Sequence, residues 1–269
     1  IRLSLVGSEM CIRDSVWMGL LLWSSIAPAQ AAWTVNMAPG ATDVSNAVFD
    51  LHMTIFWICV VIGLVVFGAM FWSMIVHRRS TGQQPAHFHE HTWVEILWTV
   101  VPFLILVVMA IPATKTLIEI YDASESDVDI QVTGYQWKWH YKYLGQDVEF
   151  FSNLATPAEQ IHGKAPKDEH YLLEVDQPLV LPVGAKVRFL VTAADVIHSW
   201  WVPAFAVKRD AIPGFVNEAW TRVEKPGIYR GQCTELCGKD HGFMPVVVEV
   251  KSKEDLSLIH ISEPTRLRR

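Results

Sequence analysis

This chain of 269 residues lacks an excess of positive charge. It contains 22 Lys and Arg and 28 Asp and Glu, which gives a net charge of −6. Nucleic acid is therefore not an expected partner, whereas an acidic surface suits a basic protein partner because it steers that partner's approach. Internal repeats and long low-complexity tracts are also absent, and the length predicts one or two domains. Cysteine is scarce: there are only four, and two of them fall within one stretch of twelve residues.

That stretch carries four soft or borderline metal donors in the spacing Cys233-x3-Cys237-x3-His241-x2-Met244. A fifth candidate donor, His198, lies upstream. Thiolate, imidazole and thioether groups are the donors that select copper, particularly in its lower oxidation state. Five such donors are more than one tetrahedral ion needs, so the pattern suggests a dinuclear copper centre bridged by both cysteine sulfurs.

Other sites compete with this interpretation. The Cys-x3-Cys spacing falls within the zinc range, but a thioether is a poor zinc ligand. A mononuclear blue-copper site needs only one cysteine. A disulfide between Cys233 and Cys237 would suit an exported domain, although it leaves His241 and Met244 unexplained. Zinc and the disulfide stay open as alternatives at this point.

Membrane segments are indicated by a hydrophobic content of 51%. Two apolar runs, 48–76 and 93–118, each exceed the roughly 20 residues that a spanning helix needs. Arg78 and Arg79 at the end of the first run place the loop 77–91 in the cytoplasm, so the part after the second run faces the periplasm.

The two ends of the chain have a different character. Residues 16–31 form a short apolar run that ends in Ala29-Gln30-Ala31, which is typical of a truncated signal peptide and its cleavage site. Residues 1–15 and 256–269 resemble translated sequencing-adapter sequence, and we expect both to be non-native, with native tails as the alternative.

The pattern changes to short β-type runs from about residue 124. Such runs, separated by Pro and Gly, predict a β-sandwich or barrel. The predicted strands are 128–134, 171–175, 186–192, 227–232 and 245–250. The polar segment 153–169 contains two prolines and is predicted to be an exposed loop.

Together with the metal motif, several stretches resemble the subunit II family of haem–copper cytochrome c oxidases, over roughly residues 32–255. The stretches that carry the resemblance are 95–102, 132–141, 195–200, 210–214 and 231–245. The resemblance implies a two-helix transmembrane hairpin within 32–123, followed by an all-β cupredoxin-like Greek-key barrel within 124–255. It also implies a multi-pass protein of the bacterial inner membrane with its C-terminal domain in the periplasm.

The resemblance further implies the cofactors and partners. Electrons from reduced cytochrome c would reach a centre of two copper ions, copper A, and pass to haem in subunit I, where oxygen is reduced to water. Magnesium would be shared with subunit I through the Glu235 side chain, and haem would be present only in the partner subunit. The implied copper A ligands are His198, Cys233, the backbone carbonyl of Glu235, Cys237, His241 and Met244.

The resemblance also assigns roles to residues outside the copper ligands. Trp137 would be the point at which electrons enter, with Gln136 and Asp195 in the surface that docks cytochrome c. Four further acids are candidates for that surface, with an ordinary solvated face as the alternative. These acids are Asp122, Glu125, Asp127 and Asp129.

Glu95 would lie at the entrance of a proton channel into subunit I; alternatively, the acid is favoured simply by the positive end of a helix dipole. Asp210 would lie near the subunit I interface, or else stabilise a turn. His87, His89 and His91 could bind a metal, but a solvated loop at the membrane surface is favoured.

Three other functions are possible for this sequence. A quinol oxidase subunit II lacks the copper ligands, and nitrous-oxide reductase carries a large propeller that this sequence does not show. The alternative from a different class is a membrane-anchored periplasmic copper-binding protein or metallochaperone with no oxidase partner. Glu95 and the aromatic run around Trp137 favour the oxidase subunit.

Overall fold

The computed structural model describes residues 36–37, 40–82, 84 and 89–252, and every element discussed below belongs to the unit formed by residues 38–269. The predicted signal peptide and both predicted non-native ends lie outside the described residues, so these boundaries stay predictions.

Two long helices open the described part of the chain: α1, Asp43–Val76, and α2, Thr92–Tyr121. Both are long and apolar enough to cross a membrane, which agrees with the predicted hairpin. Helix α1 begins five residues before the predicted run because Thr42 and Ser45 form a capping box, in which each side chain accepts the backbone N–H of the other residue.

Ten strands and one short helix follow. The strands are β1 Val128–Tyr135, β2 Lys138–Tyr143, β3 Val148–Ser152, β4 Leu179–Pro182, β5 Lys186–Ala193, β6 His198–Val202, β7 Val207–Ala211, β8 Asn217–Arg222, β9 Gly227–Cys233 and β10 Pro245–Lys251. The short helix is α3, Ala158–Ile161.

These strands form two five-stranded sheets in the orders β3-β2-β1-β5-β8 and β4-β10-β9-β6-β7. The pairs β1–β5 and β4–β10 are parallel, and the other pairs are antiparallel. Trp200 links the two sheets through the fully buried core: its ring lies 4.7 Å from that of Phe189, and its Nε1 donates to the Tyr141 hydroxyl at 3.2 Å. The predicted order, a helix hairpin followed by an all-β domain, is confirmed.

One predicted strand is wrong. Residues 171–172 complete a turn and 173–174 are irregular, since Leu172 has a left-handed φ of +62° and the Leu173 N–H donates to the His170 carbonyl at 2.8 Å. Only Val175 pairs, in an isolated bridge with Leu154. The predicted loop 153–169 is confirmed apart from the single turn of α3.

The β domain is attached to the ends of both helices. The Ala41 N–H donates to the Ala204 carbonyl at 2.8 Å, just before α1. The Trp220 indole donates to the Glu119 carbonyl at 3.0 Å, in the last turn of α2. These contacts position the β domain directly above the membrane hairpin.

Candidate metal centre

The candidate metal centre is built on the loop between β9 and β10. A backbone hydrogen bond from Cys233 N–H to the Met244 carbonyl at 3.0 Å closes this loop, and one from Thr234 N–H to the Ser199 carbonyl at 3.1 Å ties it to β6. Cys233, Cys237 and Met244 are all buried, with at most 3% of each exposed. Because the loop is hydrogen-bonded at its ends, its metal-donor atoms are held in place by the protein alone.

The two thiols lie side by side, with 3.8 Å between Sγ of Cys233 and Sγ of Cys237. A disulfide requires about 2.0 Å, and both cysteines are free, so the disulfide alternative is not realised. Nδ1 of His241 lies 3.5 Å from the Cys237 sulfur, and Nδ1 of His198 lies 4.0 Å from the Cys233 sulfur. The Glu235 carbonyl oxygen lies 3.4 Å from the Cys233 sulfur. Each thiol therefore has its own imidazole.

His198 is the first residue of β6 and is fully buried. Its Nε2 lies 2.8 Å from Oδ1 of Asp195, an arrangement that orients a metal-binding imidazole and makes it a stronger donor. Gly134 lies directly against the ring, because a Cβ at that position would be 2.7 Å from Cδ2 of His198. The Trp139 ring meets the imidazole edge-on, with 6.0 Å between centroids.

Sequence reasoning missed both Gly134 and Trp139 as parts of the site. The signal was present in the run that carries Trp137, but only the packing of the two sheets shows that Gly134 lies against His198.

Electrostatics distinguish the two thiols. Burial raises the pKa of Cys233, but hydrogen bonds with His198 and with the backbone of Ser199 outweigh it, so the pKa lies below its ordinary value. Burial and the negative charge of Cys233 raise the pKa of Cys237. Burial lowers the pKa of His198, but its bonds to Cys233 and Asp195 leave that pKa raised. Adjacent thiolates repel each other, and a bound cation relieves this repulsion.

Three residues predicted for electron transfer and docking lie together beside this pair. Gln136 Nε2 and Trp137 Nε1 both donate to the Cys237 carbonyl, at 2.9 and 3.3 Å. The Gln136 N–H donates to Oδ2 of Asp195 at 2.7 Å. The aromatic run is thereby in hydrogen-bond contact with the backbone of a candidate ligand.

The acidic segment is not part of this cluster. Asp127 accepts the Lys186 N–H at 2.8 Å, and Asp129 forms a two-point pair with Arg188 at 2.9 and 2.6 Å, both at the start of β1. Trp137 follows the other end of that strand of eight residues, which at about 3.3 Å per residue puts it about 20 Å from Asp129. The prediction that these acids share a docking surface with Trp137 stays a prediction.

The remaining predicted residues are Asp210, Glu235 and the histidines of the loop between the two helices. Asp210 lies within β7 opposite Ser199, so its reading as a turn residue is wrong. The Glu235 side chain is exposed on the loop between the two cysteines. His89 and His91 are exposed, and His87 lies outside the described residues.

Glu95 lies in the first turn of α2, where its Oε1 accepts the N–H of His91 at 3.1 Å. Nδ1 of His91 in turn accepts the Val94 N–H at 3.4 Å. The carboxylate therefore takes part in the start of the helix, as the helix-dipole alternative predicts.

The donor chemistry fits copper. His198, Cys233 and Cys237 present ligand atoms within 4.8 Å of one another, and they form the one such group of His, Cys, Asp or Glu found in the described residues. His241 and Met244 add an imidazole and a buried thioether, a set that exceeds four-coordinate zinc and suits copper.

Comparison with known proteins gives a consistent result. Residues 128–251 match the family model described as cytochrome c oxidase subunit II, periplasmic domain. Residues 30–116 match the model for the transmembrane domain of the same subunit.

Individual relatives agree with the family models. The chain is 42% identical over 241 residues to a probable cytochrome c oxidase subunit 2 of Rickettsia bellii, covering 88% of each protein. It is 43% identical over 224 residues to the corresponding protein of Rickettsia conorii, covering 83% of this chain and 70% of that protein. The crystal structure of the periplasmic domain of subunit II from Bradyrhizobium japonicum shares 42% identity over 51% of this chain and 93% of that domain, with a TM-score of 0.46.

Proposed function

Because the chain belongs to the cytochrome c oxidase subunit II family, we propose that it accepts electrons from reduced cytochrome c at a dinuclear copper A centre and passes them to haem in subunit I. The chain is a membrane-anchored subunit of a haem–copper oxidase complex, and the family is a copper-containing one. The oxidase activity belongs to the whole complex. Family membership favours this function over the metallochaperone alternative.

One observation carries the dinuclear proposal: the two buried thiols lie 3.8 Å apart without a bond, and each has an imidazole nitrogen within 4.0 Å. Two thiolates shared between two ions, with one histidine for each ion, account for this pairing. Met244 would add its thioether and Glu235 its backbone carbonyl. The bound ions would supply a one-electron acceptor shared between them.

The residues around the donors hold them in place and exclude water. Asp195 orients His198, and Gly134 lets strand β1 approach the imidazole closely. Trp200 and Trp139 are fully buried next to the β6 end of the site. Donors held this firmly move little between oxidation states, which favours rapid electron transfer over substrate chemistry.

Trp137 is proposed as the residue through which electrons enter. Its indole N–H donates to the carbonyl of Cys237, so the path from the ring to a ligand crosses one hydrogen bond. Gln136 and Asp195 flank it, and we propose that they contact the docked cytochrome.

Further assignments belong to the assembled complex. We propose that the exposed Glu235 carboxylate binds magnesium at the contact with subunit I, since magnesium takes few protein ligands and keeps several waters. Glu95 is proposed at the entrance of a proton channel. The membrane is proposed to be the bacterial inner membrane, with the β domain in the periplasm.

Copper stoichiometry and electron paramagnetic resonance on the full chain in detergent test the proposal. We expect two coppers per chain that share one unpaired electron. Cys237→Ser should abolish that signal while the β domain stays folded, and Cys59→Ser, on the membrane helix α1, should leave it intact. One localised copper per chain, or preferential zinc binding, would overturn the dinuclear centre.

A further inference from the structure

A small cavity lies where the β domain meets the ends of the membrane helices. Val44, in the first turn of α1, and Ile120, in the last turn of α2, line one side of it, while Arg209 and Trp220 line the other. Its volume is about 60 Å³. Helix α1 begins and α2 ends beside the cavity, so we place it at the level of the lipid headgroups.

Arg209 is held rigidly at this cavity. Its Nε donates to the Glu218 carbonyl at 2.9 Å, its guanidinium lies 4.5 Å from the centroid of the Tyr121 ring, and its Nη1 lies 3.4 Å from the Tyr121 hydroxyl. A guanidinium has five N–H groups, and these contacts use two of them. Lys208, the other charged residue lining the cavity, is exposed beside it. A fixed guanidinium with donors to spare is suited to a phosphate group.

Acids near the cavity do not cancel this charge directly. Glu218 contributes its backbone carbonyl to Arg209. Glu119 contributes its carbonyl to the Trp220 indole, and its carboxylate lies 4.0 Å from Lys115. Lys186 lies over the Trp220 ring at 4.6 Å and adds a further cation.

Apolar surface continues from the cavity down the helices. Leu117 and Ile118, in the last two turns of α2, are 53% and 66% exposed. Tyr121 and Trp220 have the amphipathic rings that favour the boundary between headgroups and hydrocarbon. Cations at headgroup level above apolar helix faces match a phosphodiester attached to acyl chains.

We propose that this cavity binds the phosphate of one phospholipid, with Arg209 as the main contact and the acyl chains lying along α1 and α2. The cavity has room for the phosphate alone, so the rest of the lipid lies outside it. The site is separate from the copper ligands and adds a specific lipid to the proposed function.

Native mass spectrometry of the full chain, released from nanodiscs of phosphatidylglycerol, tests the proposal. The wild-type chain should retain one phospholipid, and Arg209→Gln should lose it, with binding about tenfold weaker for the loss of a charge-assisted contact. Arg209→Lys, which keeps the charge without the fork of donors, should bind at an intermediate level. Lys167→Gln, in the exposed loop before β4, is the charge-matched control and should retain the lipid.

Further experiments distinguish a specifically bound phospholipid from annular lipid, from a free anion and from a covering subunit. Nanodiscs of a galactolipid, which has no phosphate, should leave no lipid bound. Equal retention by wild type and Arg209→Gln would mean annular lipid only and would overturn the site. Equivalent saturation by inorganic phosphate, or loss of the lipid from the assembled oxidase, would overturn it in favour of a free anion or a covering subunit.

Discussion

The carboxylate of Asp195 lies 2.8 Å from Nε2 of His198 and thereby leaves Nδ1 of the same ring to face the Cys233 sulfur. Its second oxygen accepts the N–H of Gln136 at 2.7 Å. One side chain therefore fixes both a candidate copper ligand and the turn that carries Trp137.

Asp195→Asn should raise the reduction potential of the copper-loaded chain. Asn keeps an acceptor for the imidazole but removes a negative charge, and a unit charge at a partly screened site is worth about 1 kcal/mol, or roughly 40 mV. Direct electrochemistry without cytochrome c separates this effect from docking. Asp147→Asn, at an exposed turn, is the control, and an identical shift in both variants would contradict the assignment.

Gly134→Ala should lower copper affinity without unfolding the β domain. The new methyl group would lie 2.7 Å from Cδ2 and 2.9 Å from Cγ of His198, so the imidazole must move. Copper titration against a competing chelator measures the loss. Gly242→Ala, where a Cβ meets open space beside a candidate ligand, is the matched control. Equal affinity in the two variants would show that His198 is not held by β1.

Trp137→Ala should slow electron transfer from reduced cytochrome c by about tenfold or more, which corresponds to about 1.4 kcal/mol in the activation barrier. The substitution removes both the ring and the hydrogen bond to the Cys237 carbonyl. Stopped-flow reduction of the oxidase measures the rate, and copper content should stay unchanged. Trp93→Ala, at the exposed start of α2, should behave as wild type.

Glu95→Gln should reduce steady-state turnover severalfold if the carboxylate handles protons. Gln keeps an oxygen that can accept the His91 N–H, so the helix start is preserved. Glu95→Ala removes both functions. Turnover and copper spectra are compared for the two variants; normal turnover in Glu95→Gln alongside a loss in Glu95→Ala would assign the residue to helix capping alone.

Acidification should weaken the β domain through Asp129. The hydrogen bond from Arg188 lowers the pKa of this carboxyl, with burial opposing and Ser126 adding to the effect. The stabilisation is therefore fully present above the ordinary pKa of about 3.9 and is lost as pH falls through the lower folded value.

The Asp129→Asn variant measures that contribution. It should cost about 1 kcal/mol at pH 7 and flatten the loss of stability below pH ~4. Chemical unfolding followed by near-ultraviolet circular dichroism at both pH values tests this, with Asp147→Asn as the control. An unchanged acid slope would show that other carboxyls dominate.

Sequence reasoning recovered the strands made of uninterrupted β-branched or alternating runs, such as β5 and β10. It missed the other six strands, β2, β3, β4, β6, β7 and β8. In β6 four of the five residues are buried, so no alternation is visible. The sequence also predicted a strand at 171–175 because the segment contains apolar residues, but Leu172 adopts a left-handed conformation there.

The residues of the candidate site also fall into two groups, those that local sequence predicts and those that it does not. The donors on one short loop were predictable because their spacing is local. The contact of Gln136 with Cys237 spans 101 positions along the chain, and Gly134 meets His198 only where the two sheets pack against each other. Such contacts depend on tertiary structure, which no local pattern encodes.

Strand β1 pairs with β5, which places Gly134 opposite Ala193, and the packing of the two sheets brings the same glycine against His198 of β6. A slip of one residue would replace Gly134 with Thr133 or Tyr135 and turn every β1 side chain to the opposite face. A mispaired chain would then lack room for the imidazole. The correct register of β1 is therefore a condition for holding His198 as a donor in the candidate centre.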